Sequence, residues 1–322
     1  MPEPLISILI PTYEPQADHL QAALDSLVQQ TEQRWEVIIH DDASKVDVAS
    51  IISKYLEDPR FRFIRSEVRR GIGGNWNACL QLANAPYVQF LFQDDTWEPT
   101  YLTRSLAVLE ADPTIAFTAA NHAYRDEAGK RAEDFAPDHN LKLLVDLKRA
   151  FLKPGKQEAQ AFLSRWAARG LKPNVIGEPS FVLMRKSNID RAGLFCEDMR
   201  QLLDLEYWVR LLKTGNWYYL AKELGAFRVH AHGASAANSE RGSGIFERIR
   251  CLALVLPLIP KAERKQVESS LVDHLAEMIR AFFQRVRGGK RVSSGGSSAL
   301  VAFAMKHPIL TIRSVVKFIT HR

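Results

Sequence analysis

The sequence predicts an α/β protein whose doubly wound, mostly parallel sheet is flanked by helices and followed by a helical C-terminal extension. Strand-like apolar runs alternate with helical spacing over residues 5–119, a pattern typical of βαβ units. Two of these runs end in paired acids, at the position where open α/β sheets bind ligands. Residues 245–322 read instead as helices interrupted at prolines and at glycine- and serine-rich stretches.

The first part of the chain provides five strands and four helices in alternation. The strands are apolar runs at residues 5–10, 35–40, 61–65, 87–93 and 115–119. Helical segments lie between them, at residues 20–28, 46–56, 75–83 and 99–110. The first helix repeats apolar residues at three- and four-residue spacing, and the last one has Pro99 in its first turn.

The regular alternation ends after residue 120. Residues 121–175 mix charged residues with short helical pieces, of which 156–169 is the clearest helix. Strand character returns at residues 181–184, 217–220 and 226–229. We therefore predict one domain over residues 1–240, with halves at 1–120 and 121–240, and a separate helical region over residues 241–322.

The composition is that of a globular protein from a reducing compartment. At 322 residues, with 46% hydrophobic and 25% charged residues, the chain can bury a full core. Its three cysteines are too few and too scattered for a disulfide framework or a zinc site. No secretory signal is visible, and the apolar run at residues 252–260 is about half the length that spans a bilayer. These features predict a cytoplasmic protein.

The net charge of +6 is unevenly distributed along the chain. Residues 245–322 hold 14 Lys/Arg and 5 Asp/Glu, so they carry +9 and residues 1–244 carry −3. The final segment places Ile309, Ile312, Val316 and Ile319 at helical spacing among basic residues. Such a helix can lie peripherally on the inner face of the cytoplasmic membrane. The alternative is a helix packed on the rest of the chain or on a partner subunit.

The paired acids are Asp41–Asp42 after the second strand and Asp94–Asp95 after the fourth. Adjacent carboxylates repel each other, and hydrogen bonds within a sheet cannot satisfy both. A hard divalent cation takes carboxylate oxygens together with substrate phosphates, so a cation is one solution. The alternative is a solvated acidic turn that begins the next helix.

Four sequence windows together resemble the family 2 glycosyltransferases of the GT-A fold, over roughly residues 5–235. They are S-I-L-I-P-T-Y-E (7–14), E-V-I-I-H-D-D-A-S (36–44), G-I-G-G-N-W-N-A (71–78) and Y-V-Q-F-L-F-Q-D-D (87–95). A fifth window, L-L-D-L-E-Y-W-V-R (202–210), resembles the acceptor-side helix of that family. The resemblance implies inverting transfer from a nucleotide diphosphate sugar.

The resemblance also assigns residues to the donor. Asp42 is expected to accept hydrogen bonds from the base, Asp94 to hold the ribose, and Asp95 to bind Mn²⁺ or Mg²⁺ on the diphosphate. His230 completes the metal site in one interpretation and is structural in the other. Further donor contacts are expected from Pro11, Thr12, Tyr13 and Glu14 after the first strand, and from Gly71 and Asn77. The alternatives are a turn packed on its own sheet and, for Asn77, a cap of its loop. Gln93 departs from the family, which often has an acid or a small residue there.

On the acceptor side, the resemblance points to Asp204 as the general base that takes the hydroxyl proton. Glu206 is the rival base, and Asp204 as a helix N-cap is the structural alternative. Trp208 and Arg210 follow Asp204 at the spacing of the family. Glu178, in G-E-P-S (177–180), is expected to bind a sugar hydroxyl of the acceptor or only solvent.

The function predicted from these residues is a metal-dependent glycosyltransferase of cell-surface polysaccharide biosynthesis, with a glycan or lipid-linked acceptor. The alternative is a non-catalytic nucleotide-sugar-binding or scaffold protein of a glycan-assembly complex. A nucleotidyltransferase is disfavoured because no Arg/Lys-rich phosphate loop follows the first strand. We expect no nucleic-acid partner, and a homo-oligomer is compatible with the sequence.

Overall fold

A computed structural model of the protein describes residues 3–131, 139–229, 244–288 and 304–320. The chain forms two compact units, one from residues 1–157, 175–198 and 211–230 and the other from residues 158–174, 199–210 and 231–322. These units cut across the predicted boundary at residue 240, because two internal segments group with the C-terminal helices. Among the described residues, none of the helices combines the length and the apolar character that crossing a bilayer requires.

The first part of the sheet is parallel. It contains β1 (Ile6–Thr12), β2 (Trp35–Asp41), β3 (Phe61–Arg65) and β4 (Tyr87–Phe90), in the spatial order β3-β2-β1-β4. Helices connect these strands: α1 (Ala17–Val28), α2 (Val48–Ile51) and α3 (Gly71–Leu82). The four strands bury their apolar side chains against α1 and the later helix α4 (Tyr101–Ala111).

The second part of the sheet is mixed. It contains β5 (Thr96–Trp97), β6 (Ile115–Arg125), β7 (Gly155–Gln157), β8 (Val182–Arg185) and β9 (Asn216–Arg228). The spatial order continues β4-β8-β6-β9-β5, and β7 pairs with β9. Only β6 and β9 are parallel here; the other pairs are antiparallel. The predicted α/β class is confirmed, while the parallel arrangement is confined mainly to the first four strands.

The remaining helices are α5 (His139–Phe151), α6 (Ala159–Ala168), α7 (Lys186–Ala192), α8 (Leu203–Leu211), α9 (Gly244–Val255), α10 (Arg264–Arg287) and α11 (Pro308–Thr320). In the second unit, α10 packs against both α6 and α11. The predicted helical C-terminal extension is therefore confirmed.

Several boundaries differ from the sequence prediction, among them the following four. β1 continues through Pro11 and Thr12, which pair in register with His40 and Asp41, so these residues belong to the strand and not to the loop after it. β4 ends at Phe90, which places Asp94 and Asp95 on the turn that leads into β5. Helix α3 begins at residue 71 and not 75. The two late strand segments at residues 217–229 form the single strand β9.

Candidate functional site

Three parallel strands bring the predicted donor residues to one edge of the sheet. β2, β1 and β4 are neighbours, so their carboxyl ends point to the same side. Thr12 ends β1, Asp41 ends β2 and is followed by Asp42, and the Asp94–Asp95 pair follows β4. This edge is where open α/β sheets bind ligands.

The two acids after β2 have different surroundings. Asp41 is fully buried and accepts a hydrogen bond from Arg65 Nε at 3.2 Å. The Asp42 carboxylate accepts the backbone N–H groups of Arg70 at 2.6 Å and Gly71 at 2.9 Å. Arg70 is the N-cap residue of α3 and Gly71 is its first residue. The carboxylate at the strand end therefore caps this helix, and its negative charge stabilises the helix N-terminus. Asp42 thus has a structural task whether or not it also binds the donor.

The loop after β1 is tied to the loop after β4 by Gln93. The Tyr13 N–H donates to Gln93 Oε1 at 2.9 Å, and Gln93 Nε2 donates back to the Tyr13 carbonyl at 3.2 Å. This reciprocal pair gives a physical reason for glutamine at the position where the sequence departs from the family. The Arg69 guanidinium lies 3.8 Å from the centroid of the Tyr13 ring, and Glu14 accepts from Lys45 N at 2.8 Å.

Asn77 is occupied by the loop at residues 195–197. Its Nδ2 donates to the Phe195 carbonyl at 3.0 Å and to Glu197 Oε1 at 2.9 Å, and its Oδ1 accepts from Phe195 N at 2.8 Å. The side chain is buried. These contacts favour the structural alternative over the predicted contact with the donor, because both polar ends of the amide are already bonded.

Asp95 is the most unusual acid of this edge. It is fully buried; Oδ1 accepts from Arg228 N at 3.3 Å, while Oδ2 has no hydrogen-bond partner among the described residues. Burial and the neighbouring Asp94 carboxylate raise the pKa of Asp95 well above its usual range, although hydrogen bonds from the Ser180 side chain and the Arg228 N–H oppose this shift. A cation at Oδ2 would relieve both effects, so Asp95 fits the metal role that the sequence predicts.

The second predicted metal ligand, His230, lies outside the described residues. Within the described ranges, His, Cys, Asp and Glu side chains form no group of three that could hold a metal ion. A cation at Asp95 would therefore take further oxygens from the diphosphate, as the hard divalent ions commonly do.

Glu178 belongs to a cluster of charged side chains within the first unit. Its Oε2 lies 2.8 Å from His122 Nε2, and its Oε1 accepts from the Tyr124 hydroxyl at 3.3 Å. Lys148 is buried beside them. Its Nζ lies close to Gly177, the residue before Glu178: a Cβ atom built on that glycine would be 3.3 Å from it. Burial alone would raise the pKa of Glu178, but His122 and then Lys148 outweigh it and hold that pKa at about 2.

The ionised Glu178 carboxylate therefore lies beside two basic side chains, His122 and Lys148. Burial lowers the pKa of His122, and burial likewise lowers the pKa of Lys148, while Glu178 opposes both shifts. The Glu178 side chain keeps 24% of its surface exposed. Part of the side chain is thus exposed, while Oε2 itself is buried. The predicted contact with a sugar hydroxyl stays a prediction.

The predicted acceptor segment lies in the second unit. Asp204 is half-buried in the first turn of α8, and its Oδ2 accepts from Asn174 Nδ2 at 2.7 Å. Glu206 is buried and paired with Arg210 through two hydrogen bonds of 2.8 Å each. Asp204 also has both oxygens engaged, since Oδ1 accepts from Leu205 N at 2.7 Å. These two donors are neutral amides, whereas Glu206 is held by the positive charge of a guanidinium, and charge-assisted hydrogen bonds are the stronger kind. The difference favours Asp204 over Glu206 as the base.

Helix α8 has a buried apolar face, formed by Leu203, Tyr207 and Leu211. Trp208 is fully buried as well, with its ring centroid 5.9 Å from that of Tyr207. In this conformation Trp208 packs in the core, and Arg210 holds Glu206. Their predicted contacts with an acceptor therefore gain no support from the structure.

A comparison of the sequence with protein families gives a match to the glycosyl transferase family 2 over residues 7–165. The chain contains a family 2 glycosyltransferase domain. The predicted family is thus confirmed. WfaP of Escherichia coli, a UDP-Glc:α-D-GlcNAc-diphosphoundecaprenol β-1,3-glucosyltransferase, is 32% identical over 118 residues, which are 37% of this chain and 46% of WfaP. Across four such relatives, this chain spans between 16% and 79% of the relative's length.

Two solved structures share the fold of this glycosyltransferase. TarS 1–349 of Staphylococcus aureus, in complex with UDP-GlcNAc, matches with a TM-score of 0.63 and 17% identity, over 98% of this chain and 80% of TarS 1–349. The mannosyltransferase PcManGT of Pyrobaculum calidifontis, in complex with GDP-Man and Mn²⁺, matches with a TM-score of 0.58 and 16% identity, over 98% of this chain and 87% of PcManGT.

Sequence reasoning missed the basic partners of Glu178 in this glycosyltransferase. His122 and Tyr124 come from β6 and Lys148 from α5, whereas Glu178 precedes β8. No local pattern links residues so far apart along the chain. The only signal in the sequence was that His122, Tyr124 and Lys148 are polar or charged residues within segments that also contain strand or helix residues.

Proposed function

We propose that this glycosyltransferase passes one sugar from a nucleotide diphosphate sugar to a hydroxyl of a glycan or lipid-linked acceptor, in cell-surface polysaccharide biosynthesis. The observation that carries the proposal is the set of acids at the shared edge of β2, β1 and β4, within a family 2 domain. The acceptor chemistry named for WfaP, a sugar on diphosphoundecaprenol, supports a lipid-linked acceptor.

On the donor side, Asp42 and Asp94 are proposed to receive the base and the ribose. Asp95 would hold a divalent cation, Mn²⁺ or Mg²⁺, through its unpartnered Oδ2. When bound, such a cation offsets the negative charge that develops on the departing diphosphate. The Mn²⁺ in the PcManGT complex supports this assignment.

On the acceptor side, Asp204 is proposed as the general base. The acceptor oxygen attacks the anomeric carbon, the bond from that carbon to the diphosphate breaks, and the hydroxyl proton passes to Asp204. One displacement of this kind inverts the anomeric configuration. Glu178, ionised and partly exposed, is proposed to accept a hydrogen bond from a second hydroxyl of the acceptor.

The direct test is a panel of UDP-, GDP- and dTDP-sugars, each incubated with the full chain, Mn²⁺ or Mg²⁺, and a polyprenyl-diphosphate-GlcNAc acceptor. We expect transfer from one donor, loss of transfer when the metal is chelated, and loss in a matched Asp204→Asn protein. Donor binding with neither transfer nor hydrolysis would contradict the proposal and support the scaffold alternative.

We further propose that α11 attaches the enzyme to the inner face of the cytoplasmic membrane. An apolar stripe along this helix is exposed: Ile309 by 73%, Ile312 by 62%, Val316 by 52% and Ile319 by 59%. Of the basic residues beside the stripe, Arg313 and Lys317 are paired with Glu268 and Asp273 of α10. The apolar stripe therefore has to supply most of the free energy that binds α11 to the membrane.

Co-sedimentation with anionic phospholipid vesicles tests this attachment. Glutamine at both Ile312 and Val316 should cut the bound fraction severalfold without changing the net charge, while glutamine at the exposed Val46 and Val68 should not. Equal pelleting of all three proteins, or none by the wild type at low salt, would refute the proposal. Self-association without pelleting would instead assign the stripe to a second copy of the chain.

A further inference from the structure

The chain that enters α8 has no side-chain acceptor at the N-cap position, although Asp204 Oδ1 accepts from Leu205 N within the first turn at 2.7 Å. The Leu202 carbonyl accepts the first helical hydrogen bond, from Glu206 N at 3.0 Å, so Leu202 stands at the N-cap position without a side-chain acceptor. Glu247 of α9 supplies the acceptor from elsewhere in the chain. Its carboxylate receives three consecutive backbone N–H groups, from Arg200 at 2.9 Å, Gln201 at 2.9 Å and Leu202 at 2.8 Å.

Arg248, the next residue of α9, binds a second segment of the chain, at residues 170–171. Arg248 Nη1 donates to the carbonyls of Gly170 at 3.2 Å and Leu171 at 2.8 Å. Three residues after Leu171 the chain reaches Asn174, whose amide donates to Asp204 Oδ2 at 2.7 Å. Adjacent residues of α9 therefore fix both the segment that carries Asp204 and the segment that contacts its carboxylate, all within the second unit.

We propose that Glu247 is a positioning residue for Asp204, and that Arg248 supports the same carboxylate through Asn174. The inference rests on the proposed function, in which Asp204 is the base. Hydrogen bonds to an ionised acceptor are the stronger kind, and three of them fix the backbone two residues before Asp204. A base displaced by about 1 Å can lose on the order of 100-fold in rate, so this restraint bears directly on turnover.

Glu247→Gln is the informative variant. It replaces Oε2, which accepts two N–H groups, by an NH₂ group that faces donors. We expect kcat to fall by about 10- to 100-fold, while the KM for the donor stays within about twofold. Glu263→Gln, a charge-matched change at an exposed glutamate of the same unit, should leave both constants unchanged.

A double-mutant cycle separates positioning from a general loss of structure. If Glu247 acts through Asp204, Glu247→Gln should cost little further rate in a protein that already carries Asp204→Asn. Asn174→Ala, which removes the direct contact with Oδ2, should behave in the same way. An unchanged kcat in Glu247→Gln, or the same fold-loss in both backgrounds, would overturn the proposal.

Amide hydrogen exchange of the full-length protein provides a readout that needs no activity. The amides of residues 200–202 should exchange faster in Glu247→Gln than in the wild type and in Glu263→Gln. Unchanged exchange there would overturn the proposal even if the enzyme is active. Failure of the wild type to use any donor would instead contradict the proposed function, and the exchange result would still decide whether Glu247 holds this segment.

Discussion

Replacing Lys148 by methionine tests the charged cluster around Glu178. His122 and Lys148 bring the pKa of Glu178 from a reference value of 4.5 down to about 2. A difference of about 2.5 pKa values corresponds to about 3 kcal/mol of interaction with the ionised carboxylate. His122 contributes more than Lys148 to this lowering of the Glu178 pKa, and burial lowers the pKa of both basic groups. Lys148→Met removes only the Lys148 share of this interaction, so it should lower the free energy of unfolding by about 1 to 3 kcal/mol.

Urea unfolding of four proteins measures this effect: the wild type, Lys148→Met, Glu178→Gln and the double variant. The double variant should be close to Glu178→Gln, because a neutral amide does not need the ammonium group. The difference in the free energy of unfolding between Lys148→Met and the wild type should depend on pH. As the pH falls below the ordinary imidazole pKa of about 6.5, His122 in Lys148→Met gains a proton and replaces the missing charge, so the difference from the wild type should narrow.

The wild type itself should become less stable in acid. A carboxylate whose folded pKa is depressed contributes stability above its unfolded pKa, and this contribution is lost as the pH falls from about 4.5 towards 2. Glu178→Gln should lack this part of the acid dependence. A loss below about 1 kcal/mol in Lys148→Met, or an equal loss in the Glu178→Gln background, would refute the reasoning.

Two further predictions concern the acids of the proposed site. Asp95→Asn should abolish metal-dependent transfer across a Mn²⁺ titration. Because the pKa of Asp95 is raised, its ionised form destabilises the fold at neutral pH. The melting temperature of the variant should therefore rise or stay unchanged. Full activity of this variant would remove Asp95 from the metal site. Asp204→Asn should lower kcat by about 10²- to 10⁴-fold while calorimetry shows unchanged binding of the nucleotide diphosphate. An unchanged rate would move the base to another acid, with Glu178 as the next candidate.

The sequence predicts correctly those parts of the fold that depend on local sequence patterns. Unbroken apolar runs identify β1 to β4, and their alternation with helices identifies the α/β class. The acid pairs at the ends of β2 and β4 mark the edge at which the candidate donor site lies. These signals need only the neighbours of each residue in the chain.

The start of α3 was missed, and there the capping side chain comes from a distant residue. Helix α3 begins four residues before its predicted start because Asp42, about 30 positions earlier, receives the N–H groups of Arg70 and Gly71. Helix α8 begins after Leu202, whose N–H is likewise received by a distant carboxylate, that of Glu247, 45 positions later. Helix-start rules look for a capping side chain at the cap position itself, and neither Arg70 nor Leu202 supplies one.

These distant caps change how the C-terminal region should be understood. The sequence presents residues 241–322 as a basic helical extension, separable from the catalytic part. In the structure α9 holds the residues that lead to Asp204, so a protein truncated at residue 244 would lose Glu247 and Arg248 together with the apolar stripe of α11. Loss of activity in such a truncation would say nothing about membranes. Substitutions on α11 alone, which leave α9 intact, separate attachment from the positioning of the base.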